Sequence, residues 1–254
     1  YQLMQVMDYV LYYPLGEVRE FVRSFKRKDG AIGGAWSIRN PWLDILHGMN
    51  IHYYWYEWSL LNTDLTVKPR AEWVKRINEE LRKGVGKALI NADFIHDKIA
   101  IHFSQPSMYG AVITGVNTKI DLKTYKQNQS AWSRLIEDLG FQYMYLSKEQ
   151  IEGGNLTPEK FKVFILPLSQ CISRKEISQI KDFVKRGGIL IADARAGIMD
   201  SHGKRYEIPP LDGLFGIKHK SLTIAGKGTV NISSFVGKEE KLYLPPVDAD
   251  LLLR

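Results

Sequence analysis

The sequence predicts an α/β protein whose most legible part, residues 95–200, carries a doubly wound parallel sheet. Three observations support this. Short β-rich runs alternate with helical patterns along that stretch, one of those runs is apolar without a break, and one helix between them is punctuated at both ends. Parallel strands joined by helices need right-handed crossovers, which leads to a flavodoxin-like arrangement.

Lys98-Ile-Ala-Ile-His-Phe103 reads as the first strand of that domain. A helix is expected from near Asn128, with Trp132, Leu135, Ile136 and Leu139 on its buried face and Gly140 as a left-handed cap. Phe141 to Leu146 reads as the second strand. Val163-Phe-Ile-Leu166, closed by Pro167, is the uninterrupted apolar run, as expected of a strand with helices over both sheet faces. Ser173 and Glu176 have the spacing of a capping box, Ile177, Ile180, Phe183 and Val184 form a helical stripe, and Gly187-Gly188 ends it. Ile189 to Ala192 is the next strand.

The first 94 residues also alternate. Met4 to Tyr12 is strand-like, Glu17 to Phe25 helical, Ala31 to Trp36 a Gly-rich strand or loop, Trp42 to Gly48 a short helix and Ile51 to Trp58 an aromatic strand. A longer helix is expected from Pro69 to Lys83, with Trp73, Val74, Ile77 and Leu81 on one face. Two or three strands are too few for a closed eight-stranded barrel, which takes about 250 residues. Beyond residue 212 the chain is rich in Gly and Lys, with β-like runs at Leu222–Ile224 and Thr229–Ile232. That tail is expected to cover a sheet edge or lead into a further domain.

Bulk properties narrow the function. The formal charge is +7, but the basic residues are scattered, and the densest cluster, Arg23 to Lys28, ends a helix as a solvated terminus does, so no nucleic-acid partner is expected. No apolar run approaches the roughly 18 residues of a membrane span, so no membrane partner is expected either. The start at Tyr1 has neither methionine nor leader pattern and reads as cut. The single cysteine, Cys171, excludes an internal disulfide and fits a reducing, cytoplasmic setting. With no Walker loop, GxGxxG or zinc spacing, neither cofactor nor metal is expected.

Ile99-Ala-Ile-His-Phe-Ser-Gln-Pro-Ser107, Trp132 to Gly140, Phe164-Ile-Leu-Pro-Leu-Ser169 and Phe183-Val-Lys-Arg-Gly-Gly-Ile-Leu-Ile-Ala-Asp193 resemble, in order and spacing, the middle domain of family-42 glycoside hydrolases, the β-galactosidases. Trp42-Leu-Asp-Ile-Leu-His-Gly48, Tyr54-Trp55 and Asn62-Thr-Asp-Leu-Thr66 look like the last units of their catalytic barrel. The resemblance implies residues 1–94 as the C-terminal portion of a (β/α)8 barrel and 95–254 as a flavodoxin-like trimerisation domain related to glutamine amidotransferases. It also implies a galactoside-like carbohydrate substrate, a homo-oligomer that is a trimer in the family's pattern, and a retaining mechanism with two carboxyls about 5 Å apart. The acid/base glutamate would lie upstream of Tyr1. The nucleophile is expected in Ala31-Ile-Gly-Gly-Ala-Trp-Ser37, which holds no carboxylate. That departure leaves two alternatives open, a non-catalytic carbohydrate-binding or structural relative and an amidotransferase-like hydrolase.

No catalytic residue is therefore assigned. Trp55 offers a flat face for a sugar ring and Glu57 an acceptor for its hydroxyls, on the same side of a strand, although barrel packing explains them as well. His47 could be a polar sugar ligand or the end of a helix. Asp8 reads as the end of a barrel strand, serving a structural hydrogen bond as readily as a functional one. Cys171 invites comparison with the amidotransferase nucleophile, but the elbow position after the Ile189 strand holds Asp193-Ala194-Arg195, so an inert buried thiol is expected. His202 has no acid partner in the sequence.

Overall fold

The computed structural model describes residues 2–12, 17–27, 30–35, 41–53, 60–118, 122–219, 229–231, 241–243 and 251–253. They fall into two compact units, one of Tyr1–Asp97 with Gln142–Tyr145, the other of Lys98–Phe141 with Leu146–Arg254.

The first unit runs α1 (Gln2–Val6), β1 (Tyr9–Tyr12), α2 (Val18–Phe25), β2 (Ala31–Ala35), α3 (Pro41–Leu46), β3 (Ile51–Tyr53), α4 (Pro69–Glu80), a π-turn (Leu81–Val85) and α5 (Gly86–Asn91). Its three strands pair in parallel in sequence order, β1-β2-β3, with Tyr9 opposite Ala31 and Gly33 opposite Ile51. Right-handed crossovers that always step the same way leave the helices on one face. Val10 points into that face and packs with Met4 and Val18 against buried Val22 and Met49. The other face carries Tyr9, Leu11 and Ile51, which are 40%, 41% and 37% exposed. At its centre Gly33 leaves room for β1's side chains: a Cβ there would stand 3.1 Å from the Tyr9 ring and 3.2 Å from Leu11 Cδ1. Apolar surface thus lines a sheet face that none of the described helices covers.

Two expectations change here. Residues 2–6 are helical rather than strand, because a short apolar run suits either state and Met4 joins the Val22–Met49 cluster from a helix. The helix from Pro69 continues past Lys83 to Asn91 through the π-turn, where Gly84 takes φ +120°, a conformation that favours glycine.

The second unit contains β4 (Ile99–Phe103), α6 (Gln105–Thr118), α7 (Leu122–Asp138), the end of β5 (Tyr143–Ser147, whose first three residues fall in the first unit), α8 (Lys148–Glu152), β6 (Val163–Leu166), α9 (Arg174–Lys185), β7 (Ile189–Ala192), α10 (Asp212–Phe215), β8 (Ile217–His219), β9 (Thr229–Asn231), β10 (Lys241–Tyr243) and β11 (Leu251–Leu253). Its four-stranded sheet has the order β5-β4-β6-β7, with β4–β6 and β6–β7 parallel. The chain leaves β4 to one side and returns to the other, which is the flavodoxin-like order. Ala100, Ile101, Phe164, Ile165 and Leu166 are buried, so the central strands are covered on both faces. Phe183 of α9 stands edge-on to Phe164 at 6.4 Å between ring centres. Both halves of the capping box form: Ser173 Oγ accepts from Glu176 N at 3.1 Å, and Ser173 N donates to Glu176 Oε2 at 2.7 Å. Gly140 and Gly187 take the left-handed conformation that ends α7 and α9.

Helix α6 was not expected, and α7 starts at Leu122 rather than near Asn128. The buried face of α7 is Tyr125, Gln129, Ser133 and Ile136, whereas Leu135 and Leu139 are 50% and 64% exposed. An apolar count misses this face because two of its members are polar: Gln129 donates to His102 O at 3.4 Å, and Ser133 to Gln129 O at 3.2 Å. In the tail, β8 pairs with β11 and β9 with β10, both antiparallel. Leu222–Ile224 lies outside the described residues. Among the described residues no helix is long and apolar enough to cross a membrane.

Candidate active site

In a parallel sheet wound one way, chemistry gathers beyond the C-terminal strand ends. Strands β1, β2 and β3 end at Tyr12, Ala35 and Tyr53, and the residues directly after each lie outside the described set. Trp55 and Glu57 are among them, so the structure gives no geometry for either.

His47 sits in the connection from α3 to β3, on the side where β3 begins. Its Nδ1 is bonded to Glu20 Oε1 of α2, and Glu20 is also ion-paired with Arg23. A parallel set lies alongside. Asp44 of α3 accepts from Arg19 Nε at 3.0 Å and bonds His52 Nδ1 at 2.8 Å. Burial pushes the Asp44 carboxyl up, but His52 and Arg19 outweigh it and hold it below the usual carboxylate value. These bonds fasten α2 to α3 and α3 to β3. A cleft of about 560 Å³ opens beside them, lined in part by Asp44, Met49, Ile51, His52, Arg82 and Lys87, at the end of the sheet opposite the candidate substrate side. Asp8 precedes β1 rather than ending it, and pairs with Arg27 at 2.8 Å, so its position is that of a structural contact.

Sequence reading missed a second constellation. In the second unit, Ser169 Oγ lies 2.9 Å from His102 Nδ1, and His102 Nε2 lies 3.1 Å from Glu176 Oε1. Nucleophile, base and orienting acid stand in hydrolase order. The three residues are 0%, 0% and 1% exposed, which shuts out any substrate. Burial pushes the Glu176 carboxyl up, yet the bonds from His102 and the Ser173 amide bring it below its usual value. The arrangement ties α9 to β4 and to the end of β6. Glu176 was legible only as a capping residue, because its second partner is 74 positions away.

Cys171 is buried, and burial pushes its thiol up to about 12, so it is an inert thiol rather than a nucleophile. It belongs to the closed switch point between β4 and β6. Ser107 Oγ accepts from Cys171 N at 2.9 Å, and Ser104 Oγ donates to Cys171 O at 3.0 Å. A Cβ on Gly110 would come within 2.8 Å of Cys171 Sγ. Asp193 accepts from Trp132 Nε1 at 3.1 Å and Leu168 N at 2.7 Å, and burial raises its carboxyl to about 6. His202 donates its backbone N–H to Asp200 Oδ1 at 2.9 Å, a turn contact. Among the described residues no cluster of His, Cys, Asp or Glu could hold a metal.

Residues 99–244 match the family profile of the β-galactosidase trimerisation domain. The chain belongs to that family. The family-42 resemblance read from Ile99–Ser107 and Phe183–Asp193 is borne out. Among solved structures, the cold-adapted β-galactosidase from Rahnella sp. R3 is 14% identical over 99% of this chain and 44% of its own, with TM-score 0.73. A catalytic mutant of the GH42 β-galactosidase Gan42B from G. stearothermophilus is 18% identical over 92% of this chain and 38% of its own, with TM-score 0.71. An exo-β-1,4-mannosidase from Opitutaceae bacterium strain TAV5 is 13% identical over 95% of this chain and 50% of its own, with TM-score 0.55. A sequence search among curated proteins finds no match. The chain thus spans roughly two fifths of the β-galactosidases whose fold it shares, at 38% and 44%.

Proposed function

We propose that this chain is part of a β-galactosidase-like retaining glycoside hydrolase, inactive alone. Residues 1–94 supply the last units of its barrel and 95–254 its oligomerisation domain. The observation that carries this reading is the sheet of the first unit, parallel, in sequence order, and with apolar Tyr9, Leu11 and Ile51 on a face that its own helices leave bare. That is how an arc of a barrel looks without the strands that would fill its interior. The trimerisation-domain match further along the chain, and the β-galactosidase neighbours, support the galactoside class and a homo-oligomer.

Trp55 and Glu57 share the parity of Ile51 and are the proposed sugar-contacting residues, the first by stacking and the second by hydrogen bonding. His47, whose Nδ1 Glu20 already engages, is not among them. The 254-residue chain should show no turnover of a chromogenic β-galactoside. A longer protein that includes the upstream barrel strands should turn it over, with Glu57→Gln lowering kcat/KM at least about tenfold, as loss of one hydrogen bond to a hydroxyl does. Full activity of the Gln variant would remove Glu57 from the site.

A second reading is a non-catalytic carbohydrate-binding relative, favoured by the absence of any carboxylate from Ala31 to Ser37. The longer protein would then bind galactosides without turning over any of a panel of glycosides.

A further inference from the structure

The cleft of about 560 Å³ in the first unit lies where α3 leads into β3 and α4 gives way to α5. Its size is that of a site for a small organic ligand, about 300–1,000 Å³. A departure from regular winding brings two cations to it. In an unbroken α-helix of about 3.6 residues per turn, residues five apart stand about 140° apart around the axis. Across Leu81–Val85 the chain winds instead as a π-turn, with Gly86 N donating to Leu81 O five residues back, and Arg82 and Lys87 both line the cleft. Two glycines permit this. Gly84 takes φ +120°, and a Cβ on Gly86 would come within 2.9 Å of Leu81 O. Such turns give up regular helical bonds and recur at functional sites.

Both charges are left over. Among the described residues no carboxylate pairs with Arg82 or Lys87. The carboxylate that lines the cleft, Asp44, already accepts from Arg19 Nε at 3.0 Å and bonds His52 Nδ1 at 2.8 Å. The wall beside them is aliphatic, formed by Ile45, Met49, Leu81 and Ile90. We infer that this cleft binds a nucleoside monophosphate, with its phosphate on Arg82 and Lys87 and its base against the aliphatic wall. Charge selects the phosphate: a phosphate monoester carries about −1.5 to −2 at pH 7 and matches two cations, where a carboxylate carries a single charge. The wall selects the body. A flat base loses little by leaving water for aliphatic side chains, whereas the hydroxyls of a sugar phosphate would be left unpaired against them.

The test is titration calorimetry on the 254-residue chain with adenosine monophosphate, adenosine, inorganic phosphate and glucose 6-phosphate. Adenosine monophosphate should bind with a dissociation constant below about 1 mM, and the other three at least about tenfold more weakly. Arg82→Gln/Lys87→Gln should weaken that binding at least about tenfold. The control Lys75→Gln/Lys83→Gln removes the same charge nearby but outside the cleft, and should leave binding unchanged. All four side chains are exposed, so the fold should hold, which thermal unfolding checks; if the cleft pair unfolds, Arg82→Gln and Lys87→Gln decide singly. No binding of adenosine monophosphate at about 10 mM, or folded cleft variants that bind like the wild type, overturns the site. Inorganic phosphate binding as tightly as the nucleotide means an adventitious ion only, and overturns it too. Adenosine or glucose 6-phosphate matching the nucleotide overturns the part assigned to the phosphate or to the base.

Discussion

The two sheets of this chain are built from similar pieces and end in opposite conditions. In the first unit every crossover steps the same way, so one face is helix-covered and the other leaves Tyr9 and Leu11 part-exposed. In the second the chain reverses direction after its first two strands, helices reach both faces, and Phe164 and Leu166 are fully buried. Strand order rather than composition decides whether a parallel sheet can finish its own core.

The sharpest way to break that contrast is to damage the finished core. Phe183→Ala removes the ring packed on Phe164, and should cost about 3–5 kcal/mol in the unfolding of the second unit, read from its denaturant midpoint. A loss under about 1 kcal/mol would mean that this core is not the stable part. Next in size is local opening. Backbone amides of β1 to β3 should exchange with solvent about 100-fold faster than those of β4 and β6 in the same sample, because an uncovered sheet opens without breaking a core. Equal protection in the two sheets would contradict the difference drawn between them.

Two further effects refine the picture inside the second unit. Glu176→Gln should cost about 2 kcal/mol at neutral pH, since it weakens the bond to His102 and half of the capping box. The Glu176 carboxyl lies below its ordinary value of 4.5, so the folded chain holds that proton less tightly than the unfolded one. The wild type's advantage is therefore full above that value and shrinks as pH falls beneath it. Asp193 has the opposite sign. Its carboxyl is raised from 3.8 to about 6, so the folded chain gains stability as pH drops through that window. Thermal melts of Asp193→Asn should lose that gain, about 3 kcal/mol, and an unchanged pH profile would show that Asp193 does not carry it.

Legibility followed the range of the interactions. The ends of α9 could be read from Ser173, Glu176 and Gly187, because caps and stops are built from residues a few positions apart. So could β6, whose four residues are apolar for one reason. The inner face of α7 could not, since Gln129 is buried by its bond to a strand carbonyl 27 positions away. Nor could α6, whose lack of charge removes the amphipathic signal that marks a surface helix. The same limit hid the Ser169–His102–Glu176 string. Each member is an unremarkable residue in its own segment, and only folding places them together. At the candidate site, the absence of a carboxylate from Ala31 to Ser37 was plain in the sequence. That His47 serves Glu20 was not.

The sequence by itself determined the alternation of strands and helices and the family to which the chain belongs, because these depend on periodicity and on short, ordered motifs. The tertiary structure decided which sheet has helices over both faces and which leaves apolar side chains part-exposed on one, that the hydrolase-like string is sealed from substrate, and that an apolar stripe faces outward on α6. Burial and strand order are properties of distant segments brought together, and no window of the sequence contains them.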